Sequence, residues 1–165
     1  MPEQRAETNP KGIFDRTTKG TRFAPIGVPL ERGAIRFFAR TLGETDPIHF
    51  DPAAARDKGY PDIVAPPSFF VVVEAAVNAE RERRGQKPLA ALIKCDYRYL
   101  LHGDEQYDFC GPMFAGDEVT LTSTIADFYD KKGGAMEFVT IESEITHPVR
   151  GTLMRCRRTL LHRLG

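Results

Sequence analysis

The segment from Pro66 to Gly85, PPSFFVVVEAAVNAERERRG, constrains the fold of this chain more than any other. Phe69 to Val73, then Ala75, Ala76, Val77 and Ala79, put apolar side chains on every side of a helix, whereas Glu80 to Arg84 are all charged. Three consecutive valines also suit a strand. The unbroken run from Pro66 to Arg84 and its Ala/Glu/Arg continuation favour a helix of roughly 27 Å. A helix that is apolar all round must be enclosed by other elements.

The carboxy-terminal half supplies the enclosure. Ile93, Cys95, Tyr97 and Tyr99 alternate with Lys94, Asp96 and Arg98, and Val119, Leu121, Ser123 and Ile125 alternate with threonines. Val139, Ile141, Ser143 and Ile145 follow the same period, as do Met154 and Cys156. These are strands with one buried face. The stretches Asp130 to Gly134 (DKKGG) and His147 to Gly151 (HPVRG) read as hairpin connections, and Gly111 to Asp117 as a longer turn. One long central helix wrapped by a curved antiparallel sheet is an α+β fold, and residues 21–165 show no internal boundary. Residues 1–20 are polar, carry Pro2, Pro10, Gly12 and Gly20, and form an amino-terminal arm available to a partner subunit.

Lys plus Arg and Asp plus Glu number 23 each, so no basic field draws nucleic acid or an anionic membrane. No stretch approaches the roughly 18 apolar residues that span a bilayer, and the amino terminus has no signal-like run, which implies a soluble, cytoplasmic protein. Cys95, Cys110 and Cys156 are widely spaced without a CxxC pair and read as reduced core thiols, not as a disulfide framework or a metal site.

Between Leu30 and Leu42, the stripe Leu30, Ala34, Phe37, Phe38, Thr41 and Leu42 at spacings of three and four predicts a helix stopped by Gly43. Then comes GETDPIHFDP, with Glu44, Asp46 and His49 on a short, proline-stiffened piece. Asp46 before Pro47 and Asp51 before Pro52 are ordinary turn and cap residues, and Glu44 just past a helix end is ordinarily solvated. As a set, a carboxylate and an imidazole are also suited to hold one water between them. Both readings stand at this point.

The order of GETDPIHFD, IVAPPSF, the long apolar helix, and strands containing LHGDEQYDF and GPMFAGDEV resembles the MaoC-like hydratase/dehydratase family of the hot-dog fold. It is most similar to the branch of amino-terminal MaoC domains and fatty-acid-synthase-type dehydratase subunits, and the likeness runs from about Gly27 to the end. The resemblance implies a hydro-lyase that adds or removes water at the double bond of an enoyl thioester on coenzyme A or acyl carrier protein, giving the (R)-3-hydroxy form, with no other cofactor and no metal. The family motif is Asp-x-Asn-Pro-(Leu/Ile)-His, so Glu44 stands at the catalytic Asp, Asp46 at the Asn, and His49 at the catalytic histidine. His49 is then the water-activating base, Glu44 its partner in proton transfer, and Asp46 the group that orients water or fixes the imidazole tautomer.

The family also has His-Gly where this chain has Ala65-Pro66, and the Gly amide there binds the thioester oxygen. Proline has no N–H to offer. Either Ser68 at the same helix end substitutes, or the chain is a weakly catalytic or structural subunit of a heteromeric dehydratase. A thioesterase is a further alternative, because that activity shares the fold. A homodimer or higher oligomer of hot-dog subunits, or a heterodimer with a second MaoC-like chain, is implied as well. The basic clusters Arg81/Arg83/Arg84 and Arg155/Arg157/Arg158 are solvated faces or contacts for carrier phosphates.

Overall fold

The computed structural model describes residues 9–165. Its frame is a five-stranded antiparallel sheet of β1 (Ile26–Pro29), β2 (Leu100–Phe109), β3 (Glu118–Lys131), β4 (Met136–His147) and β5 (Gly151–Arg163), in the spatial order β1-β3-β4-β5-β2. The alternation expected along β3, β4 and β5 is realised in register: Leu121 faces Ile145, Ser123 faces Ser143 and Ile125 faces Ile141. Among the described residues, four α-helices accompany the sheet, α1 (Arg32–Leu42), α2 (Pro52–Asp57), α3 (Phe70–Arg83) and α4 (Leu89–Leu92). This is the expected central helix with a curved sheet around it.

α3 buries a single stripe, Phe70, Val73, Val77 and Arg81, against the sheet. Its other side differs from the expectation of complete enclosure: Val71, Ala75, Ala76 and Ala79 are exposed, because one sheet covers only one side of a cylinder. Arg81 runs in from the sheet side, donates to the Ala24 carbonyl at 3.0 Å and lies over the Phe23 ring. Arg158 of β5 pairs with Glu74 of α3 through two hydrogen bonds, and Arg155 and Arg157 face Glu144 and Glu142 on the opposite side of the sheet. Arg83 and Arg84 both pair with Glu80, whose carboxyl they hold down at about 2. Both basic clusters are thus committed to partners within the chain.

Two features of the sheet depart from the sequence expectation. The strand expected over 93–99 is the end of α4 and the turn after it; Lys94 takes a positive φ of 54°, and Tyr97 and Tyr99 are exposed. The strand begins at Leu100 instead, and it bulges between His102 and Glu105. Gly103 sits in that bulge, where a Cβ would come within 2.9 Å of the Thr159 carbonyl oxygen.

Residues 9–20 lie on the chain's own sheet, while residues 1–8 of the expected arm are outside the described residues. Phe14 is buried and its ring stacks on His162 with centroids 3.8 Å apart. Glu137, with no exposed surface, accepts from the Ile13 and Phe14 amides at 2.7 and 3.0 Å and from His162 Nδ1 at 2.8 Å. His162 Nε2 in turn accepts from the Asp96 amide at 2.9 Å, so the ring is neutral with its proton on Nδ1. Among the described residues, no helix is long and apolar enough to cross a membrane.

Candidate active site

The stretch from Gly43 to Pro52 is built from stops and caps. Gly43 ends α1 in the left-handed region at φ 76°, and the Glu44 amide still reaches back to the Ala39 carbonyl at 3.0 Å. Asp46 then caps a 3-10 turn, Pro47–His49, accepting from the Ile48 amide at 3.0 Å, and Asp51 caps α2 by accepting from the Ala53 amide at 2.8 Å. Each Asp-Pro pair follows the same logic: the carboxylate takes an orphan N–H and the proline surrenders none that is needed.

This turn presents His49. The residue is only 8% exposed, and its Nδ1 lies 2.7 Å from the Val64 carbonyl oxygen. A carbonyl can only accept, so Nδ1 carries the proton and the lone pair is left on Nε2. The tautomer is therefore set by Val64. Asp46 is engaged elsewhere, with Ile48 and with the Lys58 ammonium at 3.2 Å, and these two contacts, the backbone bond foremost, lower its pKa.

Capping by Asp46 is testable on the folded protein. Asp46→Ala is expected to lower the melting temperature, while Asp46→Asn, which keeps an acceptor for the Ile48 amide, lowers it far less. The carboxyl titrates in the folded state below its ordinary value of about 3.9, so its contribution is full above that value and fades as pH falls through the folded one. Calorimetry should accordingly show the gap between wild type and Asp46→Ala narrowing in acid toward the gap between Asp46→Asn and Asp46→Ala, because a protonated carboxyl still accepts from the Ile48 amide. A gap that does not narrow would mean that the charge plays no part.

His49 forms part of the wall of a cavity of about 520 Å³, together with Ile48, Val64, Ala65 and Pro67 on one side and residues 109–113 and Met154 on the other. The lining is mostly apolar, of a size that accepts a small organic group. Pro66 is buried beside it, with its carbonyl accepting from the Phe69 amide at 2.9 Å, and Ser68 is half-buried in the 3-10 turn Pro67–Phe69 that leads into α3. Glu44 is half-buried and stands outside the cavity lining, and its carboxyl makes no hydrogen bond or ion pair among the described residues.

Cys110, expected in the core, is exposed and lines this cavity next to Phe109, at the end of the edge strand β2. Cys156 is buried, and burial pushes its thiol up to about 11. Among the described residues, no group of three or more His, Cys, Asp or Glu side chains is arranged to hold a metal ion.

A long helix packed in the curve of a five-stranded antiparallel sheet, with a histidine-bearing turn and a cavity at the helix start, defines a hot-dog protein of the hydratase/dehydratase type. Residues 17–151 match the model of the FAS1-like, dehydratase domain region family, and the chain belongs to that family. A UPF0336 protein from Clavibacter michiganensis is 36% identical over 124 residues, covering 74% of this chain and 78% of its own length. Among solved structures, the C-terminally truncated HadBC (3R-hydroxyacyl-ACP dehydratase) complex of Mycobacterium tuberculosis superposes with a TM-score of 0.68 at 23% identity over 87% of this chain and 96% of that one. An (R)-hydratase from A. caviae involved in PHA biosynthesis gives a TM-score of 0.61 at 15% identity, over 86% of this chain and 94% of that one. At these identities the two structures speak for the fold.

Proposed function

We propose that this chain is a hydro-lyase that adds or removes water at the 2,3-position of an acyl thioester, interconverting enoyl and (R)-3-hydroxyacyl chains on coenzyme A or acyl carrier protein in the cytoplasm. The observation that carries the reading is the fixed imidazole at the cavity. With Nδ1–H given to Val64, the Nε2 lone pair can take a proton from water as that water adds to C3, and can return it to the leaving hydroxyl in the reverse direction. Glu44, five residues upstream with a carboxyl uncommitted among the described residues, is the partner of His49 in the proton transfers, a role that requires the side chain to turn toward the cavity whose lining it now stands outside.

Negative charge on the thioester oxygen calls for N–H donors. Pro66 and Pro67 have none, so the first amide available at the start of α3 is that of Ser68, where helical N–H groups lack intrahelical partners. Without such a donor the transition state would lose roughly 2.7 to 4 kcal/mol. The uncovered side of α3 and the outer edge of β2, with Leu101 and Phe109 exposed, support a second hot-dog subunit packed there, as homodimer or heterodimer.

A second reading, a structural half of a heteromeric dehydratase, is favoured by Pro66 and by the position of Glu44 outside the cavity lining. Purified protein mixed with a short enoyl-CoA distinguishes the two through the absorbance of the conjugated thioester. Consumption by this chain alone is the expected result. Turnover that appears only on mixing with a second hot-dog chain favours the structural reading, release of free thiol would indicate a thioesterase, and no change in any arm overturns the proposal.

A further inference from the structure

The carbonyl that orients His49 is itself held from a distance. Residues 63–65 lie as a short strand against residues 113–115: the Ala65 amide donates to Met113 at 2.8 Å, the Ala115 amide donates to Ile63 at 3.0 Å, and Val64 bridges Phe114. On its other flank the Val64 amide donates to Ile48 at 3.0 Å, which joins this short strand to the turn that carries His49. Residues 113–115 are then pinned from outside. Asp117 accepts from the Phe114 amide at 2.8 Å, and Arg150 pairs with Asp117, donates to the Pro112 carbonyl at 2.6 Å and lies over the Phe114 ring.

Arg150 comes from the β4–β5 turn and does not line the cavity. A backbone carbonyl, a carboxylate and an aromatic face together fix a planar guanidinium in a way that a point charge would not reproduce. The remaining titratable neighbour is His147. Its Nδ1 accepts from the Val149 and Arg150 amides at 3.2 Å each, and its Nε2 lies 3.6 Å from Asp117.

We propose that Arg150 is a positioning residue for His49: with Asp117 it clamps residues 112–115, and through their pairing with residues 63–65 it fixes the Val64 carbonyl that keeps the imidazole proton on Nδ1. The assignment rests on His49 as the candidate base, but its test does not depend on turnover. The chain has four histidines, and long-range ¹H–¹⁵N imidazole spectra above neutral pH separate the two neutral tautomers, with the His49 signals identified by their loss in His49→Gln.

Wild type should show His49 as the Nδ1–H form. Arg150→Met should convert it to a mixture of tautomers while His162, held at both nitrogens in the interior, is unchanged, and Arg150→Lys should restore the wild-type form only in part. If Arg150→Met does not fold, Asp117→Asn gives the same reading, because the amide oxygen still accepts from Phe114 but the charge that holds Arg150 is gone. Should the enzyme be active, kcat in Arg150→Met falls about ten- to a hundredfold with KM little changed, the size expected of a reacting group displaced by part of an ångström. A pure Nδ1–H signal from His49 in the folded variants overturns the inference whether or not the protein turns over enoyl thioesters. Wild-type inactivity with the tautomer shift present overturns only the hydro-lyase reading.

Discussion

His49→Gln lowers enoyl-thioester turnover at least about a hundredfold, the usual size for loss of a general base, while leaving the protein folded. Glutamine is chosen because it separates geometry from chemistry. Its side-chain amide can still donate to the Val64 carbonyl, which receives His49 Nδ1 at 2.7 Å, and it fills most of the space of an imidazole. It has no lone pair basic enough to accept a proton from water. His49→Ala is expected to show the same kinetic loss with an added stability decrement of about 1–3 kcal/mol, because the Val64 carbonyl then loses its donor at a largely buried position. Initial rates and urea midpoints on the same preparations make the distinction. Undiminished turnover in His49→Gln would remove His49 from the chemistry and the cavity with it.

The largest stability effect is expected at Glu137, far from the cavity. One of its oxygens accepts from two backbone amides of the amino-terminal segment and from His162, and the site has no exposed surface. Glu137→Ala leaves three donors without an acceptor in a dry interior. Breaking buried charged networks of this kind costs about 3–5 kcal/mol. Set against a typical total of about 5–15 kcal/mol, that is enough to leave the variant marginal.

Glu137→Gln keeps one acceptor oxygen and should fall between, although its amide group turns donors toward Arg16, whose guanidinium lies 3.8 Å from the other carboxylate oxygen. Urea unfolding with an unchanged slope is the measurement, joined by limited proteolysis, which should cut within residues 10–20 of the alanine variant first. A midpoint within about 1 kcal/mol of wild type would show that the segment is held by its other contacts, Phe14 packing and the bonds of Asn9 and Arg16 to Asp130 among them.

The parts of the fold legible in the sequence were those in which one face of an element meets the core. β3 to β5, with Ile125, Ile141 and Ile145 inward, carry the period that burial imposes; α1 was legible as a helix, but the residues it buries are Ile35 and Ala39, while Phe37 and Leu42 of the expected stripe are exposed. β2 was not legible as bounded: nearly all of its residues are exposed, so no alternation marks its start. The alternation over 93–99 misled because Ile93 is buried at the end of a helix and the chain then turns through Lys94. β1 has four residues and ends in proline, too short to show a period.

Within the site, Asp46 and His49 stand out by residue type, and the caps at Asp46 and Asp51 follow from the prolines behind them. The group that fixes the His49 tautomer is the carbonyl of Val64, and a backbone atom leaves no mark in composition. Cys110 looked like a core residue because it follows strand-like sequence, and only the position of β2 at the sheet edge puts it in the open.

The fastening of Ile13 and Phe14 to Glu137 has a consequence for synthesis on the ribosome. α3 emerges about 80 residues before β5 is complete, an interval of roughly 4–16 s at ordinary elongation rates, during which the sheet behind its apolar stripe is unfinished. The nascent amino-terminal half, His49 included, must wait for strands that do not yet exist. A circular permutant that begins at β2 would translate the sheet first and shorten that vulnerable interval.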